Sequence, residues 1–229
     1  MVIPGLFAWF DAADLSTIVE SAGLVSIWND KSGNNFHATQ SIGSRKPTTG
    51  ASQFAGKNVI DFLGGDCFSL PSGTNLLPNS NNSIICVVKT TGGDGSNEQR
   101  IISGIESSST RYVLLLFPTT PPAVLFLSRT SIGPGVVKSG VVVNVPTIFT
   151  GMLSGTTQSI SINNGAAETN NSGAYENGIS EMTIGAFGSS ATLTLYGAIA
   201  ELLLYSRALS ANELSRINRY LANKWGLPA

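Results

Sequence analysis

Tyr196-Gly197-Ala198-Ile199-Ala200-Glu201-Leu202-Leu203-Leu204-Tyr205-Ser206-Arg207-Ala208-Leu209-Ser210 decides how the rest of the 229-residue chain is read. From Tyr196 to Tyr205 every residue except Glu201 is apolar, aromatic or glycine, as in a strand buried on both faces. Ser206 and Arg207 make a sharp exit. Ser210-Ala211-Asn212-Glu213 then forms a capping box, in which the serine oxygen accepts the N–H of Glu213 and the glutamate reaches back. Leu214, Ile217 and Leu221 follow at i, i+3 and i+7, one apolar stripe of an amphipathic helix. Gly226 and Pro228 end it. The segment upstream is rich in strands, so such a helix has one task, which is to cover part of a sheet.

The composition agrees. Only 12% of residues are charged and 42% are hydrophobic, while glycine, serine, threonine and asparagine abound. That mix suits many short strands and tight turns, and it excludes a disordered chain. The net charge of −1, with Arg45-Lys46 as the only adjacent basic pair, lacks the electrostatic footprint of a nucleic-acid binder. No apolar run approaches the roughly 18 residues of a membrane span, and Met1 to Gly5 show no secretory signal. Cys67 and Cys86 are read as two free thiols, Cys86 being a small hydrophobe within a strand, which implies a reducing compartment.

Strands are expected at 6–11, 25–29, 59–63, 84–89, 112–117, 123–127, 140–145, 147–151, 158–163 and 182–185. Ala12 to Ser16 reads as a short turn or a single helical turn. Gly92 to Asn97 and Pro118 to Pro122 are connectors, the second kept out of any ladder by its prolines. Asn164-Gly165 is expected at the centre of a type I′ hairpin, where both residues need positive φ. No repeat and no linker is visible, so residues 1–229 are expected to form one domain.

Four stretches together resemble the laminin-G-like, concanavalin A-like jelly rolls. They are Leu6-Phe7-Ala8-Trp9-Phe10-Asp11-Ala12-Ala13-Asp14-Leu15-Ser16, Trp28-Asn29-Asp30-Lys31-Ser32-Gly33-Asn34-Asn35-Phe36-His37-Ala38-Thr39, Val59-Ile60-Asp61-Phe62, and the segment from Ile199 to Leu227. The resemblance implies an all-β, two-sheet antiparallel jelly-roll sandwich with one C-terminal amphipathic helix. It also implies a module that binds sugars, other glycans or protein surfaces, with calcium in some members.

The residues themselves limit these implications. Asp30, Ser32 and Asn34 alternate as weak calcium ligands, but a single acid falls short of the oxygens calcium wants, and turn capping is the favoured reading. No cofactor is expected. Asp61, Glu181 and Glu201 are lone acids without the paired carboxylate of a retaining glycosidase. His37 has no metal-sharing neighbour, and the nucleophile elbow and the zinc helix are absent, so no enzymatic activity is expected. Glu201, among alanines and leucines, reads as a hydrogen-bonded structural group.

Trp9, Trp28 and Trp225 fall in the matching segments and are read as core rather than sugar platform. Asp94, Asn97, Arg111, Tyr112 and Arg129, in the divergent middle of the chain, are the candidate ligand-binding residues. The expected partner is a glycan or a virion structural protein, with self-association open. A solitary domain of this kind is expected on a bacteriophage virion, as capsid decoration or tail fibre. A secreted bacterial lectin and a purely structural assembly subunit are the alternatives.

Overall fold

The computed structural model describes residues 3–71, 81–92, 98–106, 109–117, 122–128, 135–171 and 181–228; at 105–106, 109–117, 125 and 127–128 it describes the backbone alone. The described strands are β1 (Leu6–Asp11), β2 (Ile18–Ser21), β3 (Leu24–Trp28), β4 (Ala38–Thr39), β5 (Thr48–Phe54) and β6 (Lys57–Leu63). Next come β7 (Phe68–Ser69), β8 (Asn81–Thr90), β9 (Gln99–Glu106), β10 (Ser109–Phe117), β11 (Ala123–Ser128) and β12 (Val136–Ser139). The chain closes with β13 (Thr147–Ser154), β14 (Thr157–Ile162), β15 (Glu168–Asn170), β16 (Glu181–Ile184), β17 (Tyr196–Tyr205) and the helix α1 (Ala211–Trp225).

All pairings are antiparallel. They resolve into two layers. The back layer runs β15-β14-β13-β8-β17, and β17 then pairs β6 along its first half and β1 along its second, with β5 beyond β6. The front layer runs β2-β3-β4-β7-β16-β9-β10-β11-β12. A single pair, Leu24 with Thr48, joins the two at one corner. The architecture is the expected all-β sandwich.

Between the layers lies one continuous apolar core. Ile84, Cys86, Val88, Phe149, Leu153 and Ile160 of the back layer meet Trp28, Phe68, Ile102, Phe126 and Ile184 of the front layer. At Gly151 the layers approach closely, since a Cβ built there would lie 2.3 Å from the Phe126 ring. Glycine is needed at that point for space rather than for backbone conformation.

A second apolar cluster fills the gap between the outer face of the back layer and α1. Val59, Ile85, Val87, Ile148 and Leu203 pack there on Ile217, Leu221 and Trp225. The capping box expected at Ser210 and Glu213 is formed, and Gly226 ends the helix in the left-handed region at φ 67°. Arg207 braces the corner, donating to the Pro4 carbonyl and to both carboxylate oxygens of Glu213.

Glu201 locks the helix to the sheet. Simple alternation from Ile199 would aim Glu201 into the core. Instead the register shifts between Ile199 and Glu201, a bulge that turns the carboxylate towards the helix and Leu202 and Leu204 inwards. Glu201 is 0% exposed. Its Oε1 accepts from Trp9 Nε1 at 2.7 Å and Tyr220 Oη at 2.9 Å, and its Oε2 from Lys224 Nζ at 2.7 Å and Trp225 Nε1 at 2.8 Å. Lys224 also bonds Asp11 at 2.6 Å, and Asp11 holds Lys31 at 2.9 Å. Burial, and then the Glu201 carboxylate, push the Tyr220 hydroxyl far above its ordinary pKa.

Three sequence expectations are corrected here. The 140–145 segment is not a strand, because Gly140 and Asn144 take positive φ and break the ladder, leaving Val142, Val143 and Val145 exposed. The tight turn after β14 is centred on Asn163 and Asn164, at φ 48° and 57°, one residue earlier than read, with the Gly165 N–H closing it onto the Ile162 carbonyl. Trp28 and Trp225 are core as expected, but Trp9 is only half-buried, its ring under the Lys31 ammonium. Cys67 and Cys86 are free and buried.

Two substitutions test this account in urea unfolding. Glu201→Ala takes from Lys224 one of its two carboxylate partners and from Trp9, Tyr220 and Trp225 the acceptor of their side-chain donors, and is expected to cost about 3–5 kcal/mol. A loss under 1 kcal/mol contradicts the role given to the carboxylate. Gly151→Ala is expected to cost about 1–3 kcal/mol through overpacking against Phe126; unchanged stability contradicts the close approach of the layers.

Candidate functional site

With α1 over the back layer, the outer face of the front layer is the sheet surface left to solvent. Pairing in register sets Ile27, Thr39, Ser69, Thr183 and Ser103 side by side across β3, β4, β7, β16 and β9. Their neighbours Trp28, Ala38, Phe68 and Ile184 face the core, so this row faces out. Thr183 and Ser103 end under a loop, both hydroxyls donating to the Ala186 carbonyl at 2.7 Å. Ile27, Thr39 and Ser69 remain open and form the floor of a groove of about 530 Å³.

The walls come from two loops. One is the segment after β4, where Gln40, Ser41, Ile42 and Arg45 line the groove, and the other supplies Ser189. Gln40 is buried and fully engaged: its Nε2 donates to the Cys67 carbonyl at 2.9 Å, and its Oε1 accepts the Ile42 N–H at 3.0 Å. That double tie fixes the first wall. Arg45 reaches across and donates through Nη1 to the Ser189 carbonyl, and Glu181 accepts the Ser189 N–H. The second wall is thereby held to the first.

What remains free defines the chemistry. The hydroxyls of Thr39, Ser41, Ser69 and Ser189 have no hydrogen-bond partner among the described residues, and Arg45 has spent one of the five N–H donors of a guanidinium. Ile27 and Ile42 add apolar surface, and among the described lining residues none is aromatic. The groove can bind a ligand dense in hydroxyl groups. Among the described lining residues none is a carboxylate, histidine or cysteine; the Cys67 thiol behind the groove is buried, and burial raises its pKa against the opposing pull of Arg45.

None of the residues singled out from sequence is among the described residues that line the groove. Asp94, Asn97 and Arg129 fall outside the described residues. Arg111 and Tyr112 are on β10, Tyr112 in register with Gly104 of β9 and Ser128 of β11, with only their backbone described. Asp30 acts as a turn cap, its oxygens accepting the N–H groups of Trp9, Ser32 and Phe36 and the Ser32 hydroxyl. Ser32 and Asn34 donate to the Phe7 carbonyl. A cation at this loop would have to displace those donors. His37 accepts the Asp30 N–H through Nδ1. Among the described residues, no three histidine, cysteine or acidic side chains gather to hold a metal.

The lone acids also separate. Glu201 is sealed beneath α1, Glu181 serves the groove wall, and Asp61, on the back layer, is held up in pKa by burial. Asp14 goes the other way, drawn down to about 2 by its hydrogen bond from Lys31. No segment contributes more than a few residues to the groove, and the one sequence signal near it is the basic pair Arg45-Lys46.

No protein-family model and no curated protein sequence matches the chain. Solved structures do. A Trypanosoma rangeli sialidase in complex with sialic acid superposes at TM-score 0.70 with 13% identity over 100% of this chain and 34% of that one. Domain 4 of an extracellular arabinanase of Geobacillus stearothermophilus, in complex with arabinotriose, gives 0.62 and 14% over 93% of this chain and 98% of that one. The receptor-binding domain of botulinum neurotoxin type G gives 0.65 and 15%, with 98% and 54% covered. The chain thus spans about a third of the sialidase and about half of the toxin domain. At these identities the likeness is one of fold, an all-β sandwich.

Removal of the Arg45 tie is expected to loosen the groove wall and leave the sandwich intact. In Arg45→Ala, amide hydrogen exchange should quicken at Ser189 and around Ile42, with β8 and β17 unchanged. Unchanged exchange at Ser189 contradicts the bridge.

Proposed function

We propose that the chain is a non-enzymatic, laminin-G-like binding module of one domain whose ligand is a glycan held in the groove of the front layer. The observation that carries this is the set of unspent donors and acceptors on Thr39, Ser41, Ser69, Ser189 and Arg45, gathered on the sheet face opposite the covering helix. Hydroxyls and guanidinium groups of that density match the hydroxyls of a sugar, and fixed walls lower the entropy lost on binding. The likeness to an arabinanase domain bound to arabinotriose supports the same reading.

The setting we propose is the surface of a bacteriophage virion, as capsid decoration or tail fibre. An extracellular bacterial lectin is the alternative. One observation favours a second reading, a structural subunit docked on a virion protein or on another copy: Val137, Val142, Val143 and Val145 are 37–57% exposed within one short region.

A glycan array separates these readings. The wild-type chain is expected to retain a restricted set of glycans. Arg45→Gln and Thr39→Trp, the second filling the groove from an exposed position, should each weaken retention by about tenfold or more at unchanged melting temperature. Absence of any bound glycan, or binding that both substitutions leave intact, overturns the glycan reading and leaves the docking one.

A further inference from the structure

We propose a second ligand site, for a sugar acid of monosaccharide size, on the other side of the sandwich, between α1 and the turn that ends β14. It does not depend on the groove. A partly enclosed pocket of about 170 Å³ lies there, floored by Ile148 and lined by Asn163, Asn164, Ser215, Asn218, Arg219 and Pro228. Sites for drug-sized molecules run to about 300–1,000 Å³, so this pocket admits one ring rather than a chain.

Both walls are preset. Asn163 and Asn164 sit at left-handed φ in a turn locked to β13 twice over: the Asn163 N–H donates to the Ile148 carbonyl, and the Ile148 N–H donates to Asn163 Oδ1, both at 2.9 Å. Ser215, Asn218 and Arg219 stand at i, i+3 and i+4 and therefore share one helix face. Beyond α1 the chain is turned back by the Leu227 N–H on the Ala222 carbonyl at 2.9 Å, which brings Pro228 to the pocket's rim.

The lining is rich in donors, and among the described residues it contains no carboxylate. The Arg219 guanidinium, the Asn164 amide, the Ser215 hydroxyl and the Asn163 Nδ2 have no partner among the described residues. A planar guanidinium set beside amides suits a carboxylate carried on a hydroxylated ring.

Asn218 stiffens the helix wall: it is 4% exposed, and its Nδ2 donates to the Leu214 carbonyl at 2.9 Å.

Backbone amide shifts of the full chain, titrated with glucuronate, glucose and inorganic phosphate at millimolar concentrations, test this. Glucuronate should shift Asn163, Asn164, Ser215 and Arg219, with glucose weaker by about tenfold or more. Arg219→Gln, at an exposed position, should remove the preference for the acid. Ser215→Ala should weaken glucuronate binding at unchanged melting temperature. No shift with glucuronate, shifts confined to 39–45, glucose bound as tightly, or phosphate bound as tightly would each overturn the assignment.

Discussion

A carboxylate with no access to water organises this molecule. Glu201 could not sit in an apolar strand without four donors around it, because an unpaired buried charge costs several kcal/mol. Three of the four, Tyr220, Lys224 and Trp225, lie on α1, and the fourth is Trp9 of β1. Satisfying Glu201 therefore brings both ends of the chain onto β17. The helix must lie across the back layer at one height and rotation, and the apolar cluster beneath it follows from that placement.

This constraint also decides where function can be. Once α1 occupies the outer face of the back layer, the exposed face of the front layer is the remaining broad sheet surface. Its outward row changes along its length, from hydroxyls capped by the Ala186 carbonyl at Thr183 and Ser103 to hydroxyls left open at Ser69 and Thr39. The groove lies where the capping stops. Its rigidity comes from Gln40 and Arg45, each tying one wall to something behind or across it.

Much of the frame is legible in the sequence because it is written in local signals. The capping box at Ser210, the stripe of Leu214, Ile217 and Leu221, and the glycine stop at 226 each act within a few residues. What escapes is set by register. The direction of Glu201 depends on one extra residue opposite Val87, and alternation alone sends that carboxylate to the wrong face. The turn at Asn163 shifts by one because Asn163 itself accepts the Ile148 N–H, a contact with a strand fifteen residues away. The valines at 142, 143 and 145 read as a strand until Gly140 and Asn144 take positive φ. The groove is not legible beyond its one basic pair, since it is assembled from β3, β4, β7 and two loops, with an ordinary polar, isoleucine or arginine side chain at each point.

A crystal structure of the chain with the glycan it retains best would test the central claim, that ligand binds on the face opposite α1. The account predicts sugar density over Thr39 and Ser69, with hydroxyls within hydrogen-bond reach of Arg45 and Ser189. Density seated instead against the helix-covered side, or on residues 93–97 and 129–134, would contradict it.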